Sequence, residues 1–461
     1  MLEELEYSER QRDFGYCRHI RVGEVIRAMR RMSRGRAIGP NEIPVELWKS
    51  VSKEGLEWIA RLFNVIFRTK KIPEDWRRST IIPMYRNKGD VQNYTNYKGI
   101  KLLSHTMKVW EMMIEGRLRR CVSISENQFG FMPERSTTEA IHIVRKLVEQ
   151  YRVVNKDCIW CALAWRKPMT KSQREVIWRY LEARGVHVAY IRVIQDLYDR
   201  SKTRVRTTEG DSDYFPVEMG LHQGSTLIPF LFFLEMDSLT RHIQGEVPWY
   251  LLFAYDIVLI DETRCGVNER LEEADGNVRL DTQVIPRRES FKYLRSIIQK
   301  DWEIDEDFTH RIRAEWMKWR LASDVLCDKN MLLRPKEYWP VKNSHVQQMK
   351  VAETRILRWM CGHNRLDRIR NEIIRDKVGV ALMEAKMRKA RLIWFGHVKR
   401  RSTDAPIRRC ERLALGGGRR DRGRTKKSWG EVIRREMAQL ELTEDMTLDR
   451  KVWRLKIRIK G

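Results

Sequence analysis

The stretch LLFAYDIVLI (residues 251–260) constrains the fold more than any other part of this sequence. Four mostly apolar residues precede Tyr255-Asp256, and four apolar residues follow the pair. Two short apolar runs around a two-residue polar centre predict a tight β-hairpin with Asp256 at its turn. On its own, an aspartate in such a place is most often an ordinary turn residue. The hairpin therefore suggests a site only if its surroundings support one.

A loop upstream of the hairpin has features of a binding site. GLHQGST (220–226) leads into a predicted helix, LIPFLFFLEMDSLTRHI (227–243), with Pro229 in its first turn. Small residues and backbone amides at the start of a helix suit a phosphate or the edge of a sugar. A plain loop with a helix cap is equally consistent with this stretch.

The net charge is +27, from 90 Lys and Arg against 63 Asp and Glu. This excess favours a polyanionic partner, with nucleic acid preferred over an acidic membrane surface. No apolar run approaches the ~20 residues that span a bilayer, and the start MLEELEYSERQR lacks the order of a signal peptide. Eight scattered cysteines without an export signal favour reduced thiols. We expect a nuclear or cytoplasmic protein that is neither secreted nor membrane-spanning.

The remaining pattern predicts both helices and strands. Apolar spacing predicts helices over about 45–67, 104–121, 138–153, 174–185 and 309–326. Strands are predicted at STIIPMY (79–85), CIWCALAW (158–165) and FKYLRSII (291–298). The C-terminal quarter is predicted to be helical and very basic.

The loop, helix and hairpin together resemble the reverse transcriptase domain of LINE-type non-LTR retrotransposons. In that family a G-x-x-Q-G-S-x-x-S-P loop and helix precede an aromatic-Ala-Asp-Asp hairpin. Other segments are similar to further blocks of the family in the correct order over most of residues 36–326: GPNEIPVELWK (39–49), KIPEDWRRSTIIPMYRNKGD (71–90), NYKGIKLLSHTMKVWE (96–111), QFGFMPERSTTEAI (128–141) and REVIWRYLEARGV (174–186).

The resemblance implies an α+β fold of the right-hand polymerase type, with fingers, palm and a truncated thumb. It divides the chain into a charged helical segment (1–35), fingers and palm (36–265), a shortened palm end with a thumb-like region (266–345), and a basic helical C-terminal region (346–461). The interval from Asp256 to Phe291 is short for the family, which indicates internal deletions.

The chemistry that the resemblance implies is RNA-directed DNA polymerisation, in which three carboxylates hold two Mg²⁺ ions. At the matching positions this chain has Ala164, Tyr255 and Asp256, so only one carboxylate survives. A neutral phenol cannot offset divalent charge. The loss of metal stabilisation predicts at least a ~10³-fold loss of rate, so the copy is expected to be catalytically dead and not to bind Mg²⁺ productively, with Asp256 at most a weak ligand.

Neighbouring carboxylates are not expected to replace the lost ones. Asp157 and Asp261 have the wrong parity along their strands, and Glu262 lies about 20 Å from Asp256 if the strand is extended. Glu134, Ile228 and Arg295 depart from the family's Gly, Ser and Gly, which fits decay better than redesign.

The resemblance also implies a nucleotide and template site formed by six residues, although the basic ones are equally consistent with solvated surface charge: Arg86, Lys98, Lys101, Gln223, Gly224 and Ser225.

The basic C-terminal segment is a second candidate contact with nucleic acid. Residues 391–430 hold thirteen Lys and Arg against three Asp and Glu. A flexible Gly, Arg and Lys stretch within it suits phosphate backbones, although a nuclear-import signal or a solvated tail would look similar. The predicted backbone contacts are Arg419, Arg420, Arg422, Arg424, Lys426 and Lys427.

Two cysteine patterns resemble functional sites, but a structural role is the favoured interpretation of both. Cys158 and Cys161 form a CxxC inside the strand that the resemblance implies to be catalytic, which is the wrong context for a redox motif. Cys361, His363, His397 and Cys410 could in principle hold zinc, but their spacing matches no compact pattern.

The sequence thus predicts the reverse transcriptase domain of a non-LTR retrotransposon, with RNA and DNA as partners and dNTP as the one small-molecule substrate to consider. Two alternatives stay open. One is a non-catalytic nucleic-acid-binding protein that keeps the fold, and the other is the non-functional product of a pseudogene.

Overall fold

The computed structural model describes residues 19–153, 159–164, 174–217, 224–240, 250–253, 256–261, 263, 290–299, 304–322, 342–364, 366–413 and 428–458. The predictions for Cys158, Gln223, Tyr255 and the basic stretch 414–427 concern residues outside these ranges. No helix in the described ranges is long and apolar enough to cross a bilayer.

The described residues form α-helices and β-strands in a mixed α+β arrangement. The helices are α1 Val22–Arg31, α2 Val45–Lys49, α3 Lys53–Thr69, α4 His105–Cys121, α5 Thr137–Val153, α6 Arg174–Ala183, α7 Val188–Tyr198, α8 Ile228–Thr240, α9 Asp305–Ala322, α10 Asn343–Met360, α11 Asn371–Val378, α12 Met383–Lys399, α13 Pro406–Arg412, α14 Trp429–Gln439 and α15 Arg450–Lys456. The strands are β1 Arg78–Tyr85, β2 Tyr97–Leu102, β3 Ile159–Ala164, β4 Lys202–Thr207, β5 Gly210–Asp211, β6 Phe215–Pro216, β7 Tyr250–Phe253, β8 Asp256–Asp261, β9 Ser290–Tyr293 and β10 Ser296–Gln299.

Backbone contacts divide the chain into two compact units that interleave along the sequence. The first comprises Met1–Ser125 and Trp165–His242, and the second comprises Glu126–Ala164 and Ile243–Gly461. The domain boundaries expected after residues 35, 265 and 345 stay predictions.

The first unit packs helices into a core and carries a five-stranded sheet. Its core contains buried aromatic side chains from α3, α4, α7 and α8, among them Phe63, Trp110, Tyr190 and Phe230. In the sheet the strands are ordered β2-β1-β4-β5, and β6 also pairs with β4. Strand β1 runs antiparallel to β2 and parallel to β4.

The second unit carries a three-stranded sheet, ordered β3-β8-β7, and the two-stranded pair β9-β10. One hydrophobic core joins Leu251 of β7 and Val258 of β8 to α5 and to the C-terminal helices. Trp394 and Trp429 of those helices both contact the ring of His142 in α5, with centroids 5.8 and 4.7 Å away. The C-terminal helices are therefore an integral part of this unit.

The helix predicted over about 45–67 is interrupted. The structure has α2 over Val45–Lys49 and a separate α3 that begins at Lys53. Ser52 caps α3, because its side chain accepts a hydrogen bond from the amide of Gly55 at 3.4 Å. A serine satisfies free amides at a helix start better than inside a helix, which explains the break that the apolar spacing did not show.

The strand predicted over FKYLRSII is a hairpin. Strands β9 and β10 pair antiparallel, with Tyr293 opposite Ser296. Leu294 and Arg295 form the two-residue turn with φ of 48° and 66°. Such turns favour glycine or asparagine, because other residues lose free energy at positive φ. Neither residue is itself a turn former, and the turn was indicated only by the resemblance, in which Arg295 stands in place of the family's glycine.

Replacing Arg295 by glycine is expected to stabilise the second unit. The side chain is exposed and the backbone is left-handed, so Arg295→Gly relieves strain without removing a buried contact. We expect the free energy of unfolding to rise by about 0.5–1 kcal/mol. Urea titration measures the change. Lys292→Gly is the matched control, because Lys292 is exposed in β9, and there glycine should destabilise. A loss of stability in Arg295→Gly would contradict the strained turn.

Candidate functional site

The hairpin that carries Asp256 forms as predicted. Strands β7 and β8 pair antiparallel, and Phe253 lies opposite Asp256, so two residues connect the strands. On its other edge β8 pairs with β3, and there Ala164 lies opposite Asp256. Residues directly opposite in an antiparallel pair share one face of the sheet. Position 164, predicted to have held the first aspartate, is thus brought to the surviving carboxylate.

Burial, rather than a cation, dominates the surroundings of Asp256. The side chain is half-buried, and the loss of water contact raises the pKa of its carboxyl group. Tyr293 of β9 is buried nearby, and the pKa of its phenol is raised by burial and then by the charge of Asp256. No sequence pattern predicts that Tyr293 lies near this carboxylate.

The described residues place one other carboxylate residue in the strand that carries Asp256. Asp261 ends that strand, five positions along from Asp256. In the part of the chain that the structure describes, no group of three or more His, Cys, Asp or Glu side chains could hold a metal ion. A single carboxylate provides too few hard oxygen ligands for a paired Mg²⁺ centre.

In the first unit, the end of the GLHQGST loop is fixed by a buried glutamate. Glu111 of α4 is fully buried and accepts hydrogen bonds from Ser225 Oγ at 2.6 Å and from the amide of Thr226 at 2.9 Å. Burial raises the pKa of the Glu111 carboxyl group, against these bonds and the charge of Lys108, which lower it. The hydroxyl of Ser225 is thus engaged in anchoring the loop.

Gly224 meets the backbone of β2. It has φ of +91°, and a Cβ on it would lie 2.7 Å from the carbonyl oxygen of Lys101. Both the torsion and the close approach require glycine. Gly224, Ser225 and Lys101, three of the predicted nucleotide-site residues, are therefore brought together.

The predicted basic residues do not all share a surface. Lys98 lies opposite Met84, and Lys101 lies opposite Ile81. Because side chains alternate along a strand, Lys98 and Lys101 face opposite sides of the sheet. Arg86 follows β1 directly, is exposed, and donates its backbone amide to Asn96 at 2.9 Å.

Lys101 lies beside a second cation in a partly buried position. Burial, followed by the charge of Arg174, lowers the pKa of Lys101 from 10.5 to about 8. Arg174 also donates to the carbonyl oxygens of Tyr198 and Val217 at 3.2 and 3.3 Å. No sequence pattern predicts that Arg174 lies near Lys101.

The four residues considered for zinc have other surroundings. Cys410 is buried in the core, and burial raises the pKa of its thiol to about 12. His397 stacks on Trp394 with a centroid distance of 5.0 Å. His363 lies 3.5 Å from a carboxylate oxygen of Asp367, and Cys361 ends α10.

Comparisons with known proteins identify the class of this domain. Residues 86–279 match the family model described as reverse transcriptase (RNA-dependent DNA polymerase). The "Probable RNA-directed DNA polymerase from transposon BS" of Drosophila melanogaster is 22% identical over 255 residues, which cover 53% of this chain and 28% of that protein.

Two further relatives are also named as proteins of mobile elements. The Pol polyprotein of the type-1 retrotransposable element R2 of Nasonia vitripennis is 21% identical over 261 residues, covering 55% of this chain and 25% of that protein. The RNA-directed DNA polymerase from the mobile element jockey of Drosophila melanogaster is 18% identical over 373 residues, covering 67% and 40%. Residues 86–279 therefore match a reverse transcriptase domain, and these relatives are named as proteins of retrotransposable or mobile elements. The chain spans less than half the length of these relatives.

Replacing Gly224 by alanine tests the contact with β2. Gly224→Ala adds a Cβ against the Lys101 carbonyl as well as backbone strain, so we expect about 2–4 kcal/mol loss in the free energy of unfolding. Gly185→Ala is the matched control, because Gly185 has φ of +70° with nothing within 4 Å of its added Cβ. The free energy of unfolding of that control should fall by only about 1 kcal/mol. Equal losses, measured by urea titration, would mean that the loop does not press on β2.

Lys101 should make stability depend on pH. Its folded-state pKa of about 8 lies below the unfolded value of 10.5, so the unfolded chain binds more protons between these values and stability rises with pH there. Below pH 8 the full cost of the buried charge is present. Lys101→Met should therefore be more stable than the parent chain at neutral pH, by about 2–3 kcal/mol.

The stability difference between Lys101→Met and the parent should shrink as pH rises from 8 towards 10.5, which urea titration at several pH values measures. Lys98→Met is the control, because Lys98 is exposed on the opposite face of the sheet and should show no such trend. A destabilised Lys101→Met at neutral pH would refute the buried charge.

Proposed function

We propose that this chain is a reverse transcriptase domain that binds RNA and DNA but no longer transfers nucleotides. One observation carries the proposal, namely the register that sets Ala164 opposite Asp256. The family's first metal-binding aspartate is expected at position 164 and a second at Tyr255. Without these two aspartates, one carboxylate remains where three are needed.

The secondary structure supports an assignment of the sheets to parts of a right-hand polymerase. We assign the β3-β8-β7 sheet to the palm, because it carries the Asp256 hairpin. The antiparallel pair β1-β2, with Lys98 and Lys101, corresponds to the fingers. Helices from α9 onwards then supply the shortened thumb and the basic C-terminal region.

The environment of Asp256 further disfavours a metal centre. Its burial penalises the charged form, which is the form that binds a cation. A metal ion supplies Lewis acidity at the transferred phosphoryl group when it is bound by enough ligands. The chain's own contribution at this point is a single carboxylate between Ala164 and Phe253.

Nucleic-acid binding does not depend on the lost ligands. The charge of +27 and the basic tail with Arg419 and Arg420 provide electrostatic attraction to phosphates. Exposed Arg86 and Lys98 add to this on the first unit. RNA and DNA are therefore the proposed partners, and the nucleus or cytoplasm the proposed location.

A decayed copy without any function is the second candidate. It is favoured by Glu134 and Arg295, which have φ of 61° and 66° where the family is expected to have glycine. Left-handed torsions at non-glycine residues cost about 1–2 kcal/mol each. A cooperative thermal transition would oppose this candidate, whereas a broad one would support it.

Primer extension on an RNA template with Mg²⁺ tests the loss of activity. We expect the parent chain and Asp256→Ala to extend a primer equally, at the background level, because one carboxylate cannot assemble the metal pair. Ala164→Asp with Tyr255→Asp restores the family's ligand set and is the matched gain-of-function variant. Extension by the parent chain that disappears in Asp256→Ala would overturn the proposal.

Binding of the same primer–template must be measured alongside. The affinity should fall steeply as salt rises, because released counterions drive the association. This control separates a failure of chemistry from a failure to bind. Binding that does not respond to salt would remove the electrostatic part of the proposal.

A further inference from the structure

The loop between α10 and α11, residues 361–370, is held in place by one arginine. The guanidinium of Arg358 donates through Nη1 to the carbonyl oxygens of Asn364 and Asp367, both at 3.1 Å. Nη2 donates to the carbonyl oxygen of Ile369 at 2.6 Å and to Asn371 Oδ1 at 3.0 Å. Arg358 therefore ties the middle and the C-terminal end of the loop to the last turn of α10.

The tip of the loop is fixed by side chains of the loop itself. Asn364 Oδ1 accepts from the amides of Leu366 and Asp367 at 2.7 and 3.2 Å. In return, the amide of Asn364 donates to Asp367 Oδ2 at 2.7 Å. The backbone of Leu366 is thereby immobilised, while its side chain is 89% exposed.

An exposed leucine is ordinary by itself, because much of any protein surface is apolar. Leu366 differs in that its backbone is ordered before any partner arrives, so binding would cost little conformational entropy. Arg368 and Arg370 are exposed on the same loop. The one acidic residue, Asp367, is engaged with Asn364. Among the described residues of the loop, the apolar tip thus lies beside the cations Arg368 and Arg370.

This combination fits a nucleic-acid duplex better than an apolar protein surface. Arginines pair with backbone phosphates, and apolar side chains of proteins that kink duplexes insert between base steps. We propose that Leu366 inserts as a wedge between stacked bases of a bound duplex, while Arg368 and Arg370 contact the flanking phosphates. The inference rests on the proposed nucleic-acid binding. The loop lies outside residues 86–279, which match the reverse transcriptase model.

The test uses the full chain and a short RNA–DNA hybrid that carries 2-aminopurine, whose fluorescence rises when it is unstacked. Binding of the parent chain should raise the fluorescence. Leu366→Ala should abolish the rise and weaken binding about tenfold, without changing the salt dependence. The double variant Arg368→Gln with Arg370→Gln should instead reduce the slope of log affinity against log salt concentration by about two.

Leu448→Ala is the matched control, because Leu448 is a 69% exposed leucine elsewhere in the same unit, and it should behave like the parent. Thermal unfolding at the parent temperature confirms that Leu366→Ala is folded. An unchanged fluorescence rise in Leu366→Ala overturns the wedge, even if the arginine pair lowers the slope, and so does binding that neither loop variant affects. Failure of the parent chain to bind the hybrid overturns the proposed nucleic-acid function as well.

Discussion

The register between β3 and β8 is the constraint on which the candidate centre depends. Strand β8 is the middle strand of its sheet, and Ile257 to Ile260 are buried in succession, so both of its faces are covered. A slip of one residue would turn every side chain of β8 to the other face. The pairing of Ala164 with Asp256 therefore cannot slip by one residue without exposing the buried side chains of β8.

Buried charges play a comparable part in each unit separately. In the first, the carboxylate of Glu111 fixes the loop at Ser225 and Thr226. In the second, Arg401 of the C-terminal region donates to buried Glu139 of α5 at 3.0 Å. Removing Ser225 would leave buried Glu111 short of a donor, which costs more than the net gain from that hydrogen bond. Glu139 is also held by Arg135, which donates to it at 2.9 Å. These contacts therefore fix the positions of their segments more than they add to overall stability.

Strong local patterns could be predicted from the sequence, and contacts between distant segments could not. The Asp256 hairpin and α4, α5 and α6 follow from apolar spacing and caps. The opposite faces of Lys98 and Lys101 depend on strand β2, which no predicted strand covered. By contrast, the β9-β10 turn uses Leu294 and Arg295, whose residue types do not favour a turn, so only the family's glycine at position 295 pointed to it. The approach of Glu111 to Ser225 joins residues more than a hundred positions apart, and apolar periodicity cannot show it.

The proposed loss of catalytic carboxylates and the retention of the fold are compatible for an electrostatic reason. Three carboxylates held close together repel one another, so an intact centre without its metal ions destabilises the domain that carries it. The proposed replacement of two of them would remove this repulsion and leave the apolar pairing of β3, β7 and β8 in place. On that proposal, decay at the centre predicts a domain that loses chemistry before it loses structure. The left-handed torsions at Glu134 and Arg295 act in the opposite direction, because they add strain with no compensating release of charge. Whether the chain stays folded depends on the second kind of change rather than the first.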